Sequence, residues 1–460
     1  MEIAIVVVFA LGYLAITIEH SLKIDKLIPA LLMMALAWAF VAFGIDGFEQ
    51  WFDSHSATLF DLPAVQDGMS AEAIAKVHEH RMHIMEGTLL HHFGKTCEIL
   101  IFLVGAMTIV EIIDNFDGFS TIKNFIKTNK RRSLLWIVSI LAFVLSAIID
   151  NLTATIVLIT ILRKLVPDAN LRMWYAGMII VAANAGGAWS PIGDVTTTML
   201  WMNGKVSAGA LVKLLIVPSL ICMIIPTIVG GLLPAFKGTF EPAPLEGDQN
   251  PKGPFMLYLG LGLIVLVPIF KTVTHLPPYV GMMLSLGIFS MVAEIISNRQ
   301  FSLTDHSAAD DGHGGHGNSP TFKALSKIEM PSILFFLGIL MTVAALESLG
   351  LIYVFGEQVR SSMSTEVFVS LLGAGSAIVD NVPLVAASMG MFNETMDHAT
   401  WHYIAYAAGT GGSMLIIGSA AGVVAMGMEK ISFFWYLKNI AWLALIGYVA
   451  GAATFLAFFS

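Results

Sequence analysis

The sequence predicts an all-α polytopic membrane protein made of two inverted repeats of five spans, each repeat holding one re-entrant hairpin and a broken span after it. Three observations carry this. Of 460 residues, 56% are apolar and only 12% charged, against about 25% charged in a soluble domain, and the mean hydropathy is +0.78. No water-soluble core of this size could bury so much apolar surface, so the solvent is a bilayer and the spans are helical, because lipid offers backbone groups no other partner. Second, Ser146-Ala-Ile-Ile-Asp150-Asn151 recurs as Ser376-Ala-Ile-Val-Asp380-Asn381 at an offset of 230. Gly186-Gly187 and Gly193 then recur as Gly411-Gly412 and Gly418 at an offset of 225, and Met107-Thr108 precedes them as Met341-Thr342. Matches in one order at nearly one offset indicate two homologous halves. Third, the basic residues fall in clusters that one alternating topology places on a single face.

The first repeat is expected over 1–240, with spans at 3–19, 27–44, 97–114, 173–202 and 210–235. The start, Met1-Glu2-Ile3, lacks the basic region of a signal peptide and reads as a span that stays. The stretch 133–162 would reach about 45 Å as one straight helix, too long for a hydrocarbon core of about 30 Å, and it carries Lys130, Arg131 and Arg132 at one end and Arg163 and Lys164 at the other. Folding it into a hairpin puts both basic clusters on one face and Asp150-Asn151 at the tip. The span 173–202 should unwind around Gly186-Gly187-Ala188-Trp189-Ser190-Pro191-Ile192-Gly193-Asp194, where proline removes a donor and the glycines cost helix propensity.

A cytoplasmic linker is expected over 241–254 and the second repeat over 255–460, with spans at 255–270, 277–297, 330–350, 401–428 and 432–459. Its hairpin, 367–392, has Glu366, Glu394 and Asp397 at its ends. By the positive-inside rule the basic hairpin enters from the cytoplasm and the acidic one from outside. Five spans per repeat is an odd number, which inverts the second half. Both termini and 45–96 then lie outside, and Lys23, Lys26, Arg172, Arg299, Lys323 and Lys327 inside. The second broken span, with Gly409-Thr410-Gly411-Gly412-Ser413 and Gly418-Ser419, has no proline and no acid.

Two opposed hairpins tipped with an Asn motif, each followed by a Gly-rich broken span, resemble the ion transporter superfamily of sodium/dicarboxylate symporters and arsenite-type pumps. Ile149-Asp150-Asn151-Leu152-Thr153-Ala154-Thr155 and the string from Ala183 through Asn184 and Asp194 to Thr197 look most like the NhaD-type sodium/proton antiporters. The resemblance covers most of the chain from about residue 97. It implies exchange of Na+, or Li+, for H+ in a bacterial-type inner membrane. The symporters' tips read Ser-Asn-Thr; here Asp150 and Asp380 replace Ser, while Leu152 and Val382 stand where Thr would. A tip acid favours a site that holds either a proton or a cation.

The candidate cation and proton ligands are Asp150, Asn151, Thr153, Asn184, Ser190, Asp194, Thr196, Thr197, Asp380, Asn381, Ser413 and Ser419. The principal Na+ site is expected at Asp150, Asn151, Asn184 and Asp194, and a supporting one at Asp380, Asn381 and Ser419. A mid-membrane acid costs about 2.5 to 3.5 kcal/mol on insertion scales, so two at matched positions argue for function. Each can also cap its hairpin's second helix, and the Ser and Asn residues can serve as interhelical hydrogen-bond partners. Glu98, Glu111 and Glu347 sit near span ends and read as interfacial acids. The histidines His78, His80, His83, His91 and His92 read as a solvated helix face, because their spacing matches no zinc signature. The linker holding His313 and His316 reads as flexible, and Cys97 and Cys222 as packing residues.

No cofactor is expected beyond the transported ions. The partners expected are the bilayer and a second copy in a homodimer. A net charge of −9 with no basic run excludes nucleic acid. No phosphate-binding glycine motif follows a strand. Two further functions compete: a small-anion symporter or exporter, against which stands the lack of Lys or Arg inside the central segments, and an intramembrane aspartyl protease, for which Ile192-Gly193-Asp194 lacks the full Gly-x-Gly-Asp pattern.

Overall fold

The computed structural model describes residues 1–17, 24–53, 58–66, 69–241, 250–304 and 319–459. Most of the expected linker at 241–254 and the His313–His316 loop lie outside the described residues. The chain is nearly all helical, and eight of its described helices are long and apolar enough to cross a membrane.

Helix α1 (Glu2–Thr17) packs on α2 (Leu27–Gly44), and a small hairpin of β1 (Gln50–Asp53) and β2 (Thr58–Asp61) follows. This hairpin departs from the all-helical expectation. Arg81 ties the excursion down by donating to the carbonyls of Pro63, Ile45 and Phe48 at 2.7, 2.8 and 3.0 Å. Arg81 belongs to α3 (Ala71–Asn115), one helix of 45 residues and about 68 Å. It joins the expected span at 97–114 to the polar helix before it, so about half or more of it projects beyond a core of about 30 Å.

The first hairpin is α4 (Arg131–Ile149) and α5 (Asn151–Leu165), broken only at Asp150. The first broken span is α6 (Ala169–Gly187) and α7 (Val195–Met202), so unwinding is confined to 188–194 and Asn184 stays helical. After α8 (Ala208–Gly230), α9 (Gly253–Thr274) and α10 (Pro278–Thr304) come the short α11 (Pro320–Lys327) and α12 (Met330–Ser348). Hydropathy had not marked α13 (Leu351–Ser362), which is amphipathic and polar on one face. The second hairpin is α14 (Thr365–Gly375) and α15 (Asn381–Met391), and the second broken span is α16 (Ala399–Gly411) and α17 (Ala420–Glu429). The final apolar stretch divides into α18 (Phe433–Asn439) and α19 (Ala441–Phe459).

Packing comes in matched pairs: α4 on α6 and α14 on α16, α5 on α17 and α15 on α7, α2 on α12 and α10 on α3. Glycine permits the closest approaches. A Cβ at Gly186 would sit 2.2 Å from the Phe143 carbonyl oxygen, and one at Gly411 would sit 2.0 Å from that of Gly373. Each hairpin's first arm therefore presses directly on its broken span.

Ion pairs fix the ends. Glu429, at the end of α17, accepts from Arg163 Nε at 2.7 Å and Arg172 Nε at 2.9 Å, which joins it to the base of the first hairpin and the start of α6. Asp397, beyond the second hairpin, accepts from the Ser207 N–H at 2.6 Å while its own N–H donates to the Lys205 carbonyl at 2.9 Å. The hairpin bases therefore lie at opposite ends of the α6–α7 element.

Candidate cation site

The two tips meet the two breaks at the centre of the bundle. Asp150 occupies the turn between α4 and α5 at φ +82°, a conformation that costs a non-glycine residue about 1–3 kcal/mol and persists at functional turns. Its carboxylate caps α5, accepting from the Thr153 N–H and Thr153 Oγ1 at 2.8 Å each. Asp380 caps α15 likewise, accepting from the Val382 N–H at 3.3 Å.

Asp194 is the hub. It lies 4% exposed in extended backbone just before α7, and its carboxylate joins both hairpins. Oδ1 accepts from Asn151 Nδ2 at 3.1 Å, and Oδ2 accepts from Asn381 Nδ2 at 3.1 Å and from Thr196 Oγ1. Asn151 Nδ2 also donates to Asn184 Oδ1 at 3.0 Å, and Asn184 Nδ2 to Ser419 Oγ at 3.0 Å. Three elements therefore reach this carboxylate directly, through Asn151, Asn381 and Thr196, and two more, through Asn184 and Ser419, join the same hydrogen-bond network. An amide that donates to a carboxylate can, on rotation, present its carbonyl oxygen to a cation, and oxygen donors are what a small hard cation takes.

Other expected ligands make local hydrogen bonds. Thr197 Oγ1 turns back to the Asp194 carbonyl at 2.9 Å. Ser190 Oγ accepts from the Ile192 N–H at 3.4 Å, within its own turn. Ser413 Oγ donates to the Thr410 carbonyl at 2.7 Å, with its own carbonyl accepting from Tyr436. These hydroxyls satisfy freed backbone groups, which the breaks require at this depth.

Lys26 extends from the start of α2 to the second tip, with Nζ 3.3 Å from Asp380 Oδ2 and 4.5 Å from the Phe335 ring centroid. A four-carbon stem along apolar surface allows that reach. The signal was a lysine directly before a span, but its partner 354 residues away was not readable.

A cavity of about 90 Å³ is lined by Lys26, Asp150, Asn151, Asp194, Asp380 and Asn381. That is room for a dehydrated cation with water, since one water needs about 10–15 Å³ of such volume. It shares Met107, Leu152, Thr153 and Glu329 with a second cavity of about 400 Å³ that contains Glu111, Asp114, Asp117, Lys123, Lys164 and Lys327, on the side of the first hairpin's base. A third cavity of about 310 Å³, with His91, His92, Lys95, Asn203, Lys205 and Glu347, shares no lining residue with the central one. There, burial lowers the Lys205 ammonium from its ordinary value and Glu347 opposes the shift. His78 pairs with Asp46 at 2.8 Å, and no cluster of His, Cys, Asp or Glu fit for a metal occurs among the described residues.

Residues 13–403 match the citrate transporter family. The chain is also 32% identical to the Na(+)/H(+) antiporter NhaD of Vibrio parahaemolyticus, over 78% of this chain and 90% of that one. The chain belongs to the citrate transporter family, in its NhaD-type group. Sodium/proton antiporter 1 of Arabidopsis thaliana is 39% identical over 99% of this chain and 72% of its own length, and sodium/proton antiporter 2 of the same plant is 36% identical over 98% of each. The fold of this NhaD-type chain is like that of the Alcanivorax borkumensis YdaH transporter, with a TM-score of 0.57 at 13% identity over 93% of this chain and 98% of that one.

Proposed function

We propose that this integral membrane protein is a secondary transporter exchanging Na+, or Li+, for H+ by alternating access. The observation that carries the reading is the buried Asp194 carboxylate, held between both hairpin tips by Asn151 and Asn381. A carboxylate takes up either a proton or a cation but not both, because a bound cation favours its charged form, so proton and Na+ compete for it. In the proton-loaded or empty site the asparagine amides donate to Asp194. On Na+ binding they turn their oxygens inward, beside Asp150, Asn184 and Thr196.

The matched packing supports two inverted repeats, 1–240 and 255–460, rocking about the shared site. With the basic base of the first hairpin taken as cytoplasmic, the larger cavity that adjoins the site lies on the inner side, and we read this conformation as facing the cytoplasm. Both termini then lie on the outer, periplasmic side of an inner membrane. An anion such as citrate would meet three carboxylates and a single ammonium already paired to one of them, which disfavours that cargo. An aspartyl dyad must share one proton; here Asp150 and Asp194 accept from different donors, so we assign no proteolysis.

The test is reconstitution into vesicles with a preset, acid-inside pH gradient. Added Na+ or Li+ should collapse the gradient, whereas K+, citrate and arsenite should not. A gradient collapsed by citrate alone overturns the proposal.

A further inference from the structure

Two matched halves with an Asp-Asn tip each would be expected to make two equivalent cation sites, and the charges around them are not equivalent. On the first side stand two carboxylates, Asp150 and Asp194, and no ion pair reaches either among the described residues. On the second side Ser419 stands at the position matching Asp194, and the one remaining carboxylate, Asp380, is paired with Lys26 at 3.3 Å. The formal charge is thus −2 on one side and zero on the other. The ammonium is held as a bound cation would be: the Phe335 ring faces it at 4.5 Å, and the lysine and aspartate side chains are only 26% and 17% exposed. Both line the central cavity with Asp150 and Asp194.

We infer that Lys26 is a tethered cation occupying the second half-site, so that Asp380 holds the chain's own ammonium where the Asp150–Asp194 side holds sodium, and a single Na+ binds per cycle. This rests on the Na+/H+ reading above. An ammonium and Na+ carry the same charge and compete for the same oxygens; the covalent tether gives the ammonium an effective concentration that free Na+ does not match. Removing the ammonium leaves Asp380 and Asn381 as an uncompensated acidic site open to the central cavity.

The experiment counts Na+ bound to the purified full-length protein in lipid nanodiscs, by equilibrium binding of radioactive Na+ at alkaline pH, beside Na+-driven proton movement in vesicles. Wild type should bind one Na+ per chain, Lys26→Met two, and Lys26→Arg one, with the Hill coefficient for Na+ rising from one toward two only in Lys26→Met. Lys26→Met/Asp380→Asn, which removes both charges and avoids an unpaired buried acid, should return the count to one and serves as the readout if the single variant fails to fold. Two Na+ on wild type, one or none on folded Lys26→Met, or two on the double variant overturns the inference. Wild type that exchanges protons for Na+ with a count insensitive to Lys26 leaves the antiport reading standing and removes only this one. Wild type that neither binds Na+ nor moves protons removes both.

Discussion

Replacing Asp194 by Asn separates charge from shape at the hub. At roughly 4 Å and an effective dielectric of about 20, one unit charge pair is worth about 4 kcal/mol, so losing the carboxylate charge should weaken Na+ binding by about a thousandfold at roughly 1.4 kcal/mol per tenfold. The hydrogen bonds change as well. Asp194 accepts from Asn151, Asn381 and Thr196, and an asparagine there must turn its own NH2 toward one of these donors. One charge-assisted bond lost costs about 1.5–3 kcal/mol of stability, visible as a lower Tm. Ser419→Ala is the comparison. It removes the acceptor for Asn184 at 3.0 Å and the cap on the Gly422 N–H at 3.2 Å, neutral bonds worth about 1 kcal/mol each, so Na+ affinity should fall by only about tenfold. The assay is Na+ titration of proton efflux from vesicles, with Na+ binding measured beside it. If Ser419→Ala proves the more severe of the two, or Asp194→Asn stays within tenfold of wild type, Asp194 is a structural acceptor and the hub assignment fails.

Because proton and Na+ compete, apparent Na+ affinity should fall about tenfold per pH unit at pH values where the site is protonated, and calorimetry on Asp150→Asn should show exchange lost with part of the pH dependence removed; an affinity independent of pH refutes competition. Gly186→Ala places a Cβ against the Phe143 carbonyl oxygen and should cost about 1–3 kcal/mol through overpacking, read as a fall in Tm, whereas Gly262→Ala, inside a helix with open space around it, should leave Tm unchanged or raise it, because alanine favours the helix by up to about 1 kcal/mol. Glu429→Gln leaves Arg163 and Arg172 without the carboxylate both now share; with Arg163 half exposed and Arg172 mostly buried, the loss should be about 1.5–3 kcal/mol, measured as lost thermal stability with Lys430→Gln as the neutral control. Single cysteines at Lys130 and Arg163 should both resist an impermeant reagent applied outside and those at Glu366 and Glu394 should both react; labelling of 130 and 163 from opposite faces removes the first hairpin.

Much of the architecture was legible because it depends on local quantities. Length against bilayer thickness and like charge at both ends picked out α4–α5 and α14–α15 as helix pairs, and Asp150 and Asp380 lie where each turns. The repeated glycines pointed to the breaks, and contact with Phe143 and Gly373 explains why a side chain is excluded there. Local reasoning failed where an element's fate depends on something distant in sequence. The histidine segment reads as a solvated helix and 97–114 as a span, but that the two are one continuous helix, tied by Arg81 to the chain before it, was not legible. At a shorter range, the hydroxyls of Ser190, Thr197 and Ser413 bond backbone groups two or three residues away. Residue type states what an oxygen can do, and the torsions of the break decide where it points.

By itself the sequence determined the solvent, the helical class, the two Asp-Asn tips and the broken spans, because hydropathy, length and proline or glycine chemistry act over a single turn or a single span. Only the tertiary structure decided which groups share the site. Asn151 and Asn381 reach the same Asp194 from opposite halves, and Lys26 crosses to Asp380. These contacts join residues hundreds of positions apart, and a side chain's partner over that distance is set by how the helices pack and where each stem emerges, which no local pattern encodes.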